Sequence, residues 1–124
     1  MISIINEISK VLKRNEWCDM EIYDYNNNDL FIRGCVEITD QNYFIELKFH
    51  DVSYIDAPIS WTVDTREEYI LKFAEKESIP IDSPEFQKYF HLGGDYLFSF
   101  LAEFFNSKDW IHIVANSLEY RILT

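Results

Sequence analysis

Clustered histidine is missing from this chain: His50, His91 and His112 lie far apart, with no HExxH and no histidine pair. Neither a metal site nor a general base is therefore announced by ligand spacing. With only three glycines and three prolines, collagen-like, linker and disordered classes are excluded. Gly93-Gly94-Asp95 has neither the spacing nor the lysine of a phosphate loop, so it reads as a helix stop. There are two cysteines, Cys18 and Cys35. The strand register inferred below puts them on opposite faces, which fits a protein with reduced thiols better than a disulfide scaffold. No apolar run approaches the roughly 18 residues of a membrane span. Residues 1–15 carry Asn6, Glu7, Ser9 and Lys10 where a signal peptide needs an unbroken apolar segment. A cytoplasmic location is expected.

Basic residues are also few, 11 against 22 acidic ones, for a formal charge of −11. Residues 16–64 alone hold eleven acids and two bases. Nucleic acid and anionic membrane are disfavoured as partners, because phosphate binding needs clustered Lys and Arg. A basic protein suits this charge better.

What the chain has in quantity is apolar surface, 48% hydrophobic and 17% aromatic residues over 124 positions. That suffices for one self-supporting domain, residues 1–124, burying about two-thirds of its unfolded surface. Residues 3–14 set Ile5, Ile8, Val11 and Leu12 on one helical stripe, with Lys10, Lys13 and Arg14 late in the segment. Residues 64–77 open on two overlapping capping boxes, Asp64 with Glu67 and Thr65 with Glu68, and predict a second helix. A third follows Ser83-Pro84-Glu85. The run 96–105, apolar except for Ser99 and Glu103, is longer than a typical buried strand and predicts a buried helix.

Three strands precede these helices. A three-residue loop at Asn26-Asn27-Asn28 places Cys18 opposite Val36, Met20 opposite Gly34 and Ile22 opposite Ile32. A turn at residues 39–42 then pairs Ile38 with Tyr43, Val36 with Ile45, Gly34 with Leu47 and Ile32 with Phe49. Residues 110–115 and 118–123 fit a hairpin about Asn116-Ser117. The expected fold is α+β: an antiparallel sheet of about five strands, a three-stranded meander plus the C-terminal hairpin, packed on one face by helices.

Asp24, Asn26 and Asn28 alternate as calcium ligands do, but Asp29 stands where that loop needs glycine and Cys35 where it needs glutamate. His50, His91 and His112 are expected at the surface. No nucleophile and base can be paired from spacing, so no catalytic residue, metal or cofactor is expected. The meander's outer side presents Asp19, Glu21, Tyr23 and Tyr25, then Phe31, Arg33, Cys35 and Glu37, then Phe44, Glu46, Lys48 and His50. Rigid aromatics and carboxylates on one face suit recognition of a cationic protein.

Small size, strong acidity, abundant Asn and Ile, no catalytic motif and this acidic, aromatic face together resemble the immunity proteins of bacterial contact-dependent inhibition and related polymorphic toxin systems. The resemblance implies a non-enzymatic protein that binds and neutralises a cognate, basic, nuclease-type toxin domain. The surface expected to do so comprises Asp19, Glu21, Tyr23, Tyr25, Phe31, Glu37, Phe44 and Glu46. Two other readings stand beside it: a structural or regulatory interaction subunit, and a small ligand binder or enzyme using Asp51, Tyr54 and Asp56 in a pocket between helices and sheet.

Overall fold

The computed structural model describes residues 1–37 and 42–123. It opens with α1 (Ile2–Leu12), followed by β1 (Trp17–Asn26), β2 (Asp29–Cys35), β3 (Tyr43–His50), β4 (Tyr54–Asp56), β5 (Ser60–Asp64) and β6 (Leu71–Glu75). Then come a 3₁₀ turn (Lys76–Ser78), α2 (Pro84–Phe90), β7 (Tyr96–Phe104), β8 (Ser107–Ala115) and β9 (Ser117–Ile122). The described chain is α+β, mostly antiparallel sheet with two helices, and its sheet has nine strands rather than about five.

The β1–β2 hairpin turns through Asn27 and Asn28 alone, at φ 54° and 66°. Asn26 pairs with Asp29, so the turn has two residues where three were expected, the difference being taken up by the bulge after Ile22. A two-residue turn needs this left-handed backbone at both central positions, and asparagine tolerates it. Met20 pairs with Gly34 and Ile22 with Ile32, as expected; beyond Ile22 a bulge shifts the register. Gly34 is glycine because a Cβ there would meet Met20 Sδ at 2.9 Å and Ile45 Cγ2 at 3.0 Å. Strand β3 is displaced by two residues from expectation, so that Gly34 faces Ile45, Ile32 faces Leu47 and Leu30 faces Phe49. A slip of two keeps every side chain on its face. The expected pairing of Ile38 and most of the 39–42 turn lie outside the described residues.

Residues 96–105 are the main departure. They form no helix; Tyr96–Phe104 is strand β7, flanked by β8 along its length and on the other side by β6 and then β5. Phe98, Phe100 and Ala102 point into one core cluster and Leu97 into another. A strand covered on both faces has no polar face to alternate with, so its sequence becomes a nearly continuous apolar run. The helix expected over 64–77 is likewise absent. Asp64 ends β5, and its carboxylate accepts a 3.0 Å bond from the Arg66 N–H, so the capping signal serves a turn. The chain then enters β6.

Nor do β8 and β9 form a hairpin. Only Asn116 separates them, yet β8 pairs with β7 and β4, whereas β9 pairs with β3. Residues 107–122 thus act as one long bent strand against residues 43–56, which kink at Asp51 (φ 52°). The sheet order β4-β8-β7-β5-β1-β2-β3-β9 therefore returns to its own start. A flat sheet would set β3 and β7 about 19 Å apart, four strand spacings. Instead the Phe49 and Phe98 rings meet edge-on with centroids 5.3 Å apart. The sheet has curled around a core of Met20, Ile32, Leu47, Phe49, Phe98 and Phe100, and the buried stripe of α1 belongs to that same core. Helix α2 lies on the opposite side, where Tyr89 and Phe90 pack with Leu97 and Val114. Helices thus cover both faces of the sheet, not one.

Candidate functional site

In an antiparallel ladder, residues directly opposite share a face. The β1, β2, β3 and β9 registers therefore set Glu21, Arg33, Glu46 and Arg121 in one row across four strands. Charge alternates along that row. Arg33 Nη2 lies 2.6 Å from Glu21 Oε1, and Arg121 Nη2 lies 3.2 Å from Glu46 Oε2. The Arg33 guanidinium also sits 3.9 Å from the Tyr43 ring centroid and 4.8 Å from that of Tyr23. Cationic and planar, it stacks on both aromatic faces while its edge serves the carboxylate.

Two phenols complete the row. Tyr43 donates to Glu21 Oε1 at 3.0 Å, and Tyr23 donates a short hydrogen bond to Glu46 Oε2. Partial burial and the Glu46 carboxylate push the Tyr23 hydroxyl up to about 12, so it remains a neutral donor at physiological pH. In the adjoining row Lys48 Nζ lies 5.4 Å from the Phe31 ring centroid and 3.9 Å from Asp29 Oδ2. His50 stands between Asp29 at 3.7 Å and Glu119 at 3.4 Å. Partly exposed, solvent-screened pairs of this kind stabilise a fold by only about 0.2–1 kcal/mol each. Their larger effect is to hold rings and charges in one arrangement.

The expected surface residues divide under this geometry. Glu21, Tyr23, Phe31 and Glu46 come together, with the Tyr23 and Phe31 centroids 6.0 Å apart. Asp19 shares the face one row away and accepts a 2.7 Å bond from Thr62 Oγ1. Tyr25 is carried out of the set by the bulge after Ile22: it pairs with Leu30, a core residue, and is half exposed at the hairpin end. A second bulge, between Gly34 and Cys35, exchanges Phe44 for Tyr43. Phe44 packs against the core, whereas Tyr43 joins the face. Cys35 lies opposite Asp19 and Tyr43, on the side expected, but is fully buried there. Glu37 is exposed beyond the end of β2.

Several acids that looked free in the sequence are therefore answered within the chain, Glu21 by Arg33 and Glu46 by Arg121. Asp24 is exposed and makes no ion pair among the described residues. Sequence reasoning missed Tyr43 and Arg121. Tyr43 was hidden by a bulge, and Arg121 by assigning β9 to β8 instead of β3.

On the far side of the sheet Ser99 and His112 are cross-strand partners on β7 and β8, with Ser99 Oγ 2.9 Å from His112 Nδ1. Burial lowers the His112 imidazole, which keeps it neutral near pH 7. His112 is half-buried under α2, with its ring centroid 5.1 Å from that of Tyr89, and is not the surface histidine expected. Asp56 pairs with His112 from β4. Asp51, which was grouped with Tyr54 and Asp56, lies at the kink and accepts a bond from Asn116 Nδ2.

Among the described residues no group of three or more His, Cys, Asp or Glu could hold a metal ion. No helix among them is long and apolar enough to cross a membrane. Cys18 and Cys35 are both buried and free of disulfide. No protein-family model, curated protein or solved structure matches this chain.

Proposed function

We propose that the protein acts by binding a cationic partner protein and blocking it, in the manner of an immunity protein against a basic, nuclease-type toxin domain in the cytoplasm of the producing cell. The observation that carries this reading is the β1–β2–β3–β9 outer face. It holds Tyr23 and Tyr43 against the Arg33 guanidinium and Phe31 beside Tyr23 and Lys48, preorganised by cross-strand pairs, within a chain of net charge −11. Aromatic anchors held in one geometry lose little entropy on docking, and a surplus of carboxylates steers a basic protein toward them. Asp24 and Glu119, both exposed at the margin of the face, supply steering charge whose reversal leaves the central row intact.

A tagged chain is used to capture partners from its native source, with low-salt and high-salt washes, beside the double variant Asp24→Lys/Glu119→Lys. The expected result is one basic protein, released by salt and captured about tenfold less by the variant at low salt. Expression of that protein alone should arrest growth, and co-expression of this chain should relieve the arrest. Equal capture by folded variant and parent would remove this face from the reading. Failure of the captured protein to arrest growth would remove the immunity role.

A further inference from the structure

A second polar row crosses the opposite half of the sheet. Lys72 on β6 pairs with Ser99 on β7, and Ser99 with His112 on β8, so the three share one face. The next row along the same strands is apolar, Ala74 with Leu97 and Leu97 with Val114, and α2 lies over it through Tyr89 and Phe90. Between helix and sheet remains a cavity of about 380 Å³, within the range of small-molecule sites. Its lining includes Lys72, Ser99 and His112 at the polar row, Leu97 and Tyr89 along its apolar side, and Glu85 from the first turn of α2.

The donors in this cavity are not used up by the fold. The Lys72 ammonium rests 4.1 Å from the Trp110 ring centroid and has no carboxylate partner among the described residues. A cation on a ring face keeps its N–H groups free for an anion. Ser99 is 2% exposed, and it and a neutral His112 share two hydrogens, one O–H and one N–H. One of these makes the 2.9 Å bond between them, so either tautomer leaves the other to donate elsewhere. One cation, one neutral donor and an apolar recess beside them match a carboxylate on an apolar body. The Glu85 carboxylate in the same lining opposes a second negative charge and so favours a monoanion.

We propose that the cavity between α2 and strands β6, β7 and β8 binds a small apolar monocarboxylate, its carboxylate held by Lys72 with the Ser99–His112 pair and its body lying against Leu97 and Tyr89. This site is separate from the outer face of β1, β2, β3 and β9 and does not depend on it.

The test is an amide-resolved NMR titration of the full chain with 4-phenylbutyrate and octanoate, beside 4-phenylbutylamine as the cationic counterpart. Saturable shifts at Leu97, Ser99 and His112 are expected with the carboxylates and not with the amine. Lys72→Met should weaken binding about tenfold, while Glu85→Gln should tighten it. Both residues lie outside the fully buried core, so an unchanged spectrum elsewhere certifies the fold. Absence of saturable shifts up to about 10 mM, equal binding of the amine, or an unchanged affinity in Lys72→Met would each overturn the proposal.

Discussion

Asp64 should be the most consequential carboxylate for stability, although it lies at a strand end. Its side chain is only 10% exposed. Oδ1 accepts from the Arg66 N–H and Nε, both at 3.0 Å, and Oδ2 from Arg66 Nη2 at 3.1 Å and Lys108 Nζ at 3.2 Å. One carboxylate thereby joins the end of β5, the turn after it and β8. Hydrogen bonds to a charged group contribute about 1.5–3 kcal/mol each. The Arg66 side chain is 73% exposed, so solvent screening reduces the total to about 2 kcal/mol. Asp64→Asn keeps the volume but turns an amide N–H₂ toward donors, and should lower the urea midpoint at pH 7 by about 1 M. The Arg66 hydrogen bonds in particular hold the Asp64 carboxyl well below its ordinary 3.8. A depressed carboxylate contributes fully above its unfolded value and loses that contribution as pH falls toward the folded one. The gap between parent and variant should be complete above about pH 5 and shrink steadily below pH 4. Urea titrations from pH 7 to pH 3 decide it. A midpoint shift under about 0.3 M at pH 7, or a gap that stays constant with acid, would refute the reasoning.

Gly94→Ala should cost about 2 kcal/mol or more, because φ is 94° and the new Cβ would meet Val114 Cγ1 at 2.4 Å. Gly93→Ala, at φ 110° with open space around it, should cost about 1 kcal/mol, and a reversed order in urea denaturation would contradict the assigned backbone. Cys18 and Cys35 are both 0% exposed, and burial first, then the neighbouring Asp19, pushes the Cys18 thiol up to about 12. Neither should react with a thiol reagent at pH 8 until urea unfolds the chain; prompt labelling of the native protein would show that one of them is reachable.

The β1–β2 pairing was legible because a buried face leaves two choices of parity, and only one puts Cys18, Met20, Ile22 and Ile32 together. The same parity placed Glu21, Tyr23, Phe31 and Glu46 on one outer face. Bulges were not legible, since one extra residue is settled by how a strand must bend, and two of them removed Tyr25 and Phe44 and brought in Tyr43. The capping residues after Val63 were real local signals, but a side-chain acceptor followed by N–H groups suits a turn as well as a helix start. In residues 98–104 a period of two is visible in retrospect, Phe98, Phe100 and Ala102 against Ser99, Leu101 and Glu103, under an overall apolar density that reads as helix.

By itself the sequence determined local matters: the stripe of α1, the Ser83-Pro84 start of α2, the left-handed asparagines of the first turn, and the charge of −11. These depend on residues close together in the chain. Tertiary structure alone decided that 96–104 is a strand, that β9 joins β3 rather than β8, that the sheet curls on itself, and that Lys72, Ser99 and His112 share a recess. Each depends on which distant surface covers a segment, and hydrophobic burial is non-directional, so an apolar run records that it must be covered without recording by what.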